Sequence, residues 1–303
     1  MPRLLLLLLA GLAPALAAQQ APALPPVMPM PRSIDLGQGR LRIDSGFSVA
    51  LTGFTDDRLT RAVKRTMGRL ARRTGITLAD TSVRDSATAR LVIQAQGGGE
   101  AIQTEKEDES YTLEVTPERA ALQAPTVVGV LRGVETLLQL VTADSAGFFV
   151  PAVRIADAPR FPWRGLLVDA GRHFEPVEVI KRTLDGMAVV KLNVFHWHLS
   201  EDQGFRVESR RFPLLQRDGS DGLFYTQAQI RDVVAYARDR GIRVVPEFDM
   251  PGHVSSWLVG YPRYASGRGP YRIQRTWGVF DPTFDPTREV VYQFIDAVIG
   301  ELA

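Results

Sequence analysis

Cysteine is absent from all 303 residues. No disulfide can staple the chain, and no thiol can carry the lipid of a lipoprotein anchor. Stability has to come from a hydrophobic core, which a chain of this length can bury. An excess of one charge sign is also missing. There are 36 basic and 34 acidic residues, a formal net charge of +2, with no long single-sign block and no low-complexity tract. That balance implies neither a nucleic-acid partner nor an acidic membrane surface. Histidine is scarce, at four residues, so a stretch that holds two of them stands out. The rest is 45% apolar and 23% charged, a soluble globular composition with room for one large or two ordinary domains.

The N-terminus reads as a leader. Arg3 precedes six leucines, Leu4 to Leu9, and the apolar run ends in Ala15-Leu16-Ala17, an A-x-A type cleavage site. A signal peptide over 1–18 is expected, and with it a secreted or periplasmic protein without a stable membrane anchor after cleavage. The alternative is an uncleaved anchor, but the run is short for a span of about 20 residues. A Pro-rich lead-in follows over 19–32, with "APALPPVMPMP" at its centre.

Residues 33–157 read as a small α+β domain. Leu59, Val63, Met67 and Leu70 recur at helical spacing ahead of Gly75. "ARLVIQAQ" and "SYTLEVT" are short strands, with a polar loop between them. Val127, Val130, Leu131, Val134, Leu137, Leu138 and Val141 make one apolar stripe of a packed helix. Nothing here gathers acids, histidines or nucleophiles, so a supporting role is expected.

The rhythm changes over 158–303. "RGLLVDA", "LNVFHWHLS" and "IRVVPEFDM" are strands buried on both faces. Helices alternate with them. One starts at Pro176, with Val179, Ile180, Leu184, Met187 and Ala188 facing inward. Another opens on a capping box, Thr226 with Gln229, and stops at Gly241. A last helix runs from about Thr287 to Leu302. Alternation of this kind predicts an α/β fold with a parallel sheet.

Polar groups follow each strand: Asp169 and Arg172; His196, His198, Glu201 and Asp202; Glu247, Asp249 and His253. The carboxyl edge of a parallel α/β sheet is where ligands bind. His196 and His198 share one strand face, with Cα atoms roughly 6.6 Å apart. They read as pocket-wall imidazoles hydrogen-bonded to neighbouring strands, or as direct substrate contacts. A metal site would need further ligands, and only His253 follows. Trp197 and Trp163 read as packing, Asp202-Gln203 as a loop brace, and Glu247 as a buried hydrogen-bonding acid ranked below Asp249.

The stretches "RGLLVDAGRHF", "KLNVFHWHLSEDQGFR", "YTQAQIRDVVAYARDRGIRVVPEFDMPGH" and "YPRY" closely resemble the catalytic barrel of glycoside hydrolase family 20, the β-N-acetylhexosaminidases. "DESYTLEVT" and "APTVVGVLRGVETLLQLV" resemble that family's N-terminal α+β domain. The resemblance implies a TIM (β/α)8 barrel and retaining hydrolysis of terminal β-linked GlcNAc or GalNAc, with amino-sugar glycosides as partners and no cofactor or metal. The chemistry it implies is substrate-assisted, the sugar's own acetamido oxygen attacking the anomeric carbon. Arg172 then matches the arginine that grips sugar hydroxyls. His253 matches the imidazole that hydrogen-bonds the catalytic acid, backed by the carboxylate of Glu201. Asp249 matches an acid that shapes the pocket, and His196 and His198 stand as further substrate-binding candidates. Glu201 departs from animal members, which commonly have Asp there.

The family's Asp-Glu pair lies in an H-x-G-G-D-E motif after the fourth strand, and no "GGDE" occurs in the 303 residues. The pair is therefore expected beyond Ala303, the last residue of the sequence. A closed barrel takes about 250 residues, far more than follow Phe161. An incomplete barrel without turnover is the expectation. Two other readings are a non-catalytic sugar-binding chain and a metal-dependent barrel hydrolase.

Overall fold

The computed structural model describes residues 24–78 and 86–302. The expected signal peptide and the first residues of the lead-in lie outside the described residues. So does Ala303, beyond which the Asp-Glu pair is expected. Among the described residues, no helix is long and apolar enough to cross a membrane.

Among the described residues, seven strands and two helices form the first layer pair. The strands are β1 (Ser33–Arg42), β2 (Val49–Gly53), β3 (Leu91–Gly97), β4 (Tyr111–Val115), β5 (Ala120–Thr126), β6 (Thr142–Asp144) and β7 (Gly147–Asp157). Their order is β1-β7-β4-β5-β3-β2, with β6 on β7; β2, β3 and β5 run parallel and the rest antiparallel. Helix α1 (Asp57–Thr74) opens on Asp56, whose carboxylate accepts from the Leu59 N–H, and closes on Gly75 at φ 69°. Leu59, Val63 and Leu70 are buried and Met67 is partly so.

Helix α2 (Val127–Leu140) differs from the stripe read off its sequence. It is buried nearly all round, Arg132, Glu135 and Thr136 included. One face lies on the sheet and the other meets the second half of the chain. Gly129 and Gly133 let it lie that close. A Cβ on Gly133 would sit 2.2 Å from Leu122 Cδ1, and one on Gly129 would sit 2.3 Å from the Ser110 carbonyl oxygen. Gly133→Ala should therefore destabilise by about 1–3 kcal/mol, the usual cost of overpacking. Gly186→Ala, where a Cβ meets nothing within 4 Å, should be neutral or stabilising. Urea unfolding of the two variants checks this.

The second half begins with β8 (Gly165–Asp169), then α3 (Val177–Val189), β9 (Val194–Glu201), a short β10 (Gly204–Phe205), α4 (Leu214–Gly219), α5 (Gln227–Arg238), β11 (Arg243–Phe248), α6 (Ser255–Gly260) and α7 (Glu289–Leu302). β8, β9 and β11 are parallel neighbours, with β10 folded back on β9. The α5 capping box of Thr226 and Gln229 is formed as its sequence dictates. In α3, Val177 is buried and Val179 is only partly covered. α3 and α5 cover one face of the sheet. An aromatic cluster packs against β10, with Trp257 of α6 meeting Phe205 at 4.6 Å and Tyr264 stacking on Phe294 of α7 at 4.1 Å. Among the described residues β8 and β11 each keep one unpaired edge, and the sheet does not close into a barrel.

A polar seam joins the halves. Glu109 accepts from Arg132 and Arg164 on Oε2 and from Asn193 on Oε1, at 2.5, 2.5 and 2.8 Å. Lys191 donates to Tyr111 (2.8 Å) and Asp157 (2.9 Å). Burial pushes the Lys191 ammonium down and the Tyr111 phenol up.

Candidate active site

The register of three strands builds the rim. Asp169 on β8 and Glu247 on β11 both stand opposite His198 on β9, so one row across the sheet carries acid, imidazole and acid. His196 lies two residues back, opposite Leu167 and Val245. Glu247 Oε2 bridges both imidazoles, 2.6 Å from His196 Nε2 and 2.8 Å from His198 Nδ1. The sequence pattern ranks Glu247 as a buried acid. Its side chain is instead 35% exposed, because β11 has no strand on its far side among the described residues.

Glu201 is the hub. Its side chain is 1% exposed, and four groups converge on it. Arg172 Nη2 lies 2.5 Å from Oε1 and His198 Nε2 3.5 Å from the same oxygen. His253 Nδ1 lies 2.9 Å from Oε2, which also accepts from the Asp202 N–H at 3.0 Å. Arg172 is fixed from the other side by Asp169, which takes its backbone N–H (2.9 Å) and Nη1 (2.5 Å). Gly171 permits this approach, since a Cβ there would meet Glu201 Cβ at 2.9 Å. His253 adopts φ 56°, a left-handed conformation that costs energy for a residue with a side chain. The contacts with Glu201 and with Asp202 (3.3 Å) hold it there. With two carboxylates facing Nδ1, that nitrogen is placed to donate, which turns Nε2 away from both of them.

The charges shift one another. Burial works against the His198 cation, but Glu201 and Glu247 outweigh it and raise the imidazole to about 9. Burial opposes ionisation of Glu201, yet His198, the Asp202 N–H, Arg172 and His253 hold its carboxyl below the usual range. Glu247 is likewise held low by His198 and His196 against burial. The His198 contribution to stability should be fully present below its unfolded value of about 6.5 and should disappear as pH rises through about 9. The Glu201 and Glu247 contributions should be present above about 4.5 and fade as pH falls below it. Urea midpoints measured against pH, with His198→Gln removing the alkaline slope, check both signs.

The candidate residues converge as their strand positions predict. Arg172, Glu201, Asp249 and His253 lie at or just beyond the carboxyl ends of β8, β9 and β11, whereas His196 and His198 stand inside β9, at its third and fifth residues. Asp249 is half-buried and lacks a hydrogen bond or ion pair among the described residues; an oxygen of it lies within 4.8 Å of ligand atoms on His198 and Glu201. Trp197 is fully buried. Trp163, read as packing, is 51% exposed, because it precedes β8 on the uncovered side. Asp202 braces a loop, taking the N–H and hydroxyl of Ser255 at 3.0 and 2.6 Å. Gln203 donates to the Thr276 carbonyl.

Three further residues escaped the sequence reading. Arg206 is buried and spends its guanidinium on the carbonyls of Ala170 (3.0 Å), Gly171 (2.9 Å) and Ser220 (2.8 Å), which fixes the backbone that carries Arg172. Ser256 donates to the Glu201 carbonyl. Trp277 lies over the Arg172 guanidinium at 5.5 Å. No local motif marks them, since their partners are distant in the chain.

Two triads, His198–Glu201–Asp249 and Glu201–Asp202–His253, bring ligand atoms within 4.8 Å of one another. They suit a cation poorly. Glu201 already faces the Arg172 guanidinium, and His198 at about 9 holds the proton a metal would have to displace.

Parallel strands alternating with helices, with ionised side chains gathered at their carboxyl ends, define the opening of a (β/α)-barrel enzyme. Residues 161–303 match the sequence model of the glycosyl hydrolase family 20 catalytic domain, and residues 24–158 match that of family 20 domain 2. The chain belongs to glycosyl hydrolase family 20. It is 47% identical over 200 residues to the β-hexosaminidase subunit beta of Mus musculus, covering 65% of this chain and 37% of that one. Among solved structures it resembles the chitobiase of Flavobacterium johnsoniae, with TM-score 0.87 and 42% identity over 91% of this chain and 42% of that one. It also resembles the N-acetyl-β-hexosaminidase of Streptomyces plicatus in complex with thio-NAglucal, with TM-score 0.78, 32% identity and coverage of 91% and 56%. The chain thus spans about two fifths of the first two relatives and somewhat over half of the third.

Proposed function

We propose that this chain supplies the sugar-gripping part of a retaining β-N-acetylhexosaminidase site that takes terminal β-linked GlcNAc or GalNAc. The observation that carries the reading is the continuous link Asp169–Arg172–Glu201–His253. Arg172 is presented between two carboxylates with its fork fixed, a geometry suited to vicinal hydroxyls. His253, held through Nδ1, offers Nε2 to a catalytic acid. Glu201 and Glu247 are both stabilised as anions, so neither is a proton donor at neutral pH. The reading assigns the donor to the family's Gly-Gly-Asp-Glu motif, which does not occur in the sequence. The Streptomyces plicatus complex with thio-NAglucal supports an amino-sugar ligand. Export is part of the proposal and rests on the Leu4–Leu9 run and Ala15-Leu16-Ala17.

The test pairs two measurements on the purified 303-residue chain. Calorimetric titration with GlcNAc should show saturable binding that Arg172→Ala abolishes. A chromogenic GlcNAc glycoside should show no turnover at the roughly 1–1000 per second typical of enzymes. Turnover at such rates would overturn the assignment of the acid to a site outside these residues. Glucose bound as well as GlcNAc would overturn the amino-sugar reading.

A further inference from the structure

A second cleft lies away from the rim, between α1 and α2 on one side and α3 and α5 on the other, with a volume of about 800 Å³. Helix α1 lines it with Arg61, Arg65, Arg69 and Arg72 at spacings of four, four and three residues. That spacing keeps them on one ridge about 16 Å long at 1.5 Å per residue. Lys64 flanks the ridge, and Arg240 faces it from beyond α5. The floor is apolar, made by Leu131, Val134, Ala188 and Val189 with Gly68 and Gly186 opening the space. Tyr236 stands at the wall with its ring under the Arg240 guanidinium at 3.3 Å.

The acids present do not balance these cations. Asp239 takes Arg61 in a two-pronged contact at 2.8 Å, Glu135 takes Arg69, and Asp185 takes Arg240 at 2.5 Å. Arg65 donates from Nη2 to the Asp239 backbone carbonyl at 2.6 Å, but its only carboxylate contact is one of 3.8 Å with the already engaged Asp239. Burial and the neighbouring Arg240 hold Arg65 below its ordinary value. Lys64 and Arg72 carry no ion pair among the described residues. In a chain of net charge +2, this is a local concentration of positive field in a concave site, the arrangement that attracts anions.

We propose that this cleft binds an acidic polysaccharide, laid along the α1 ridge with its anionic groups on the uncompensated cations Lys64, Arg65 and Arg72 and its sugar faces on the apolar floor. A linear polyanion fits better than a single small anion, because the uncompensated charge is strung along successive turns of α1 rather than focused on one point. A polysaccharide fits better than a nucleic acid, because the floor is aliphatic and the one aromatic ring is already covered by Arg240. The site is separate from the rim of β8, β9 and β11 and does not rest on the proposed hydrolase activity.

The test is direct binding by the purified chain, measured by calorimetry with alginate oligomers (carboxylate), dextran sulfate (sulfate), neutral dextran and a DNA duplex. Alginate or dextran sulfate should bind, and neutral dextran should not. Affinity should fall as salt shortens the screening length from about 10 Å at 0.1 M to about 3 Å at 1 M. Lys64→Glu with Arg72→Glu should weaken binding at least tenfold, and Lys64→Gln with Arg72→Gln by a smaller factor. Arg119→Glu with Arg154→Glu makes the same change in net charge on exposed positions of the distant sheet and should leave binding within twofold. Equal losses in the distant pair would reduce the effect to net charge and overturn the site. Tighter binding of DNA, binding of neutral dextran, or displacement by millimolar inorganic sulfate would each overturn the proposal.

Discussion

Replacing Arg172 by alanine is expected to lower kcat/KM on a GlcNAc glycoside by roughly 30- to 1000-fold in an enzyme that joins this chain to a catalytic acid. Charged hydrogen bonds made by a partly desolvated donor are worth about 2–4 kcal/mol. Arg172 is only about a quarter exposed and touches Asp169 and Glu201 before any sugar arrives. Its orientation therefore costs little at the moment of binding. Arg172→Lys should recover almost none of the loss. An ammonium cannot bridge Asp169 and Glu201 while presenting donors to two hydroxyls. Steady-state kinetics on the three forms check this; equal kcat/KM in the wild type and the alanine variant would remove Arg172 from the site.

Glu201→Ala should cost about 3–5 kcal/mol of folding stability, the penalty for removing one partner of a buried charge cluster. Arg172, His198 and His253 would then face one another without the anion that they share. The same change should bring the His198 imidazole down from about 9, because its strongest support against burial is gone. Glu201→Gln keeps the volume and should lose less stability while still lowering His198. Glu201→Asp is the informative conservative change. The side chain spans Arg172 on Oε1 and His253 on Oε2 at 2.5 and 2.9 Å, and one methylene less cannot hold both without movement of the backbone. Urea unfolding and NMR titration of His198 measure the two effects separately.

Much of this site was legible because its parts are strand ends. The alternation of apolar strands with helices placed Arg172, Glu201 and His253 on one edge, and a parallel register was then enough to bring them together. The capping box at Thr226 and the stop at Gly241 were legible because they depend only on residues within one turn. What was not legible is long-range. Arg206 reads as an ordinary charged residue, and only the folded chain shows its guanidinium on the carbonyls of Ala170, Gly171 and Ser220. The exposure of Glu247 escaped for a related reason. Period-two patterning shows which residues share a face, but it does not show that one carboxylate oxygen reaches two imidazoles on the next strand. In the α+β half, α2 gave its apolar stripe but not its near-complete burial, because Arg132 and Glu135 look like a solvent face until their surroundings are known.

Glu109 has its backbone in the α+β half and its partners on both sides of the boundary: Arg132 on its own side, Arg164 and Asn193 on the other. Arg132 reaches over in turn to the Gly241 carbonyl at 2.6 Å, just ahead of β11. A cut between Asp157 and Ala158 would therefore not release two self-sufficient modules. It would strip Arg164, Lys191 and Asn193 of their acids, leave Asp157 without its cation and leave Glu109 with Arg132 alone. Each half is the solvent substitute for the other's ions. The barrel strands of this chain inherit their foundation from the neighbouring domain, and exchanging that domain for a foreign one would require carrying Glu109, Arg132, Tyr111 and Asp157 across as a set.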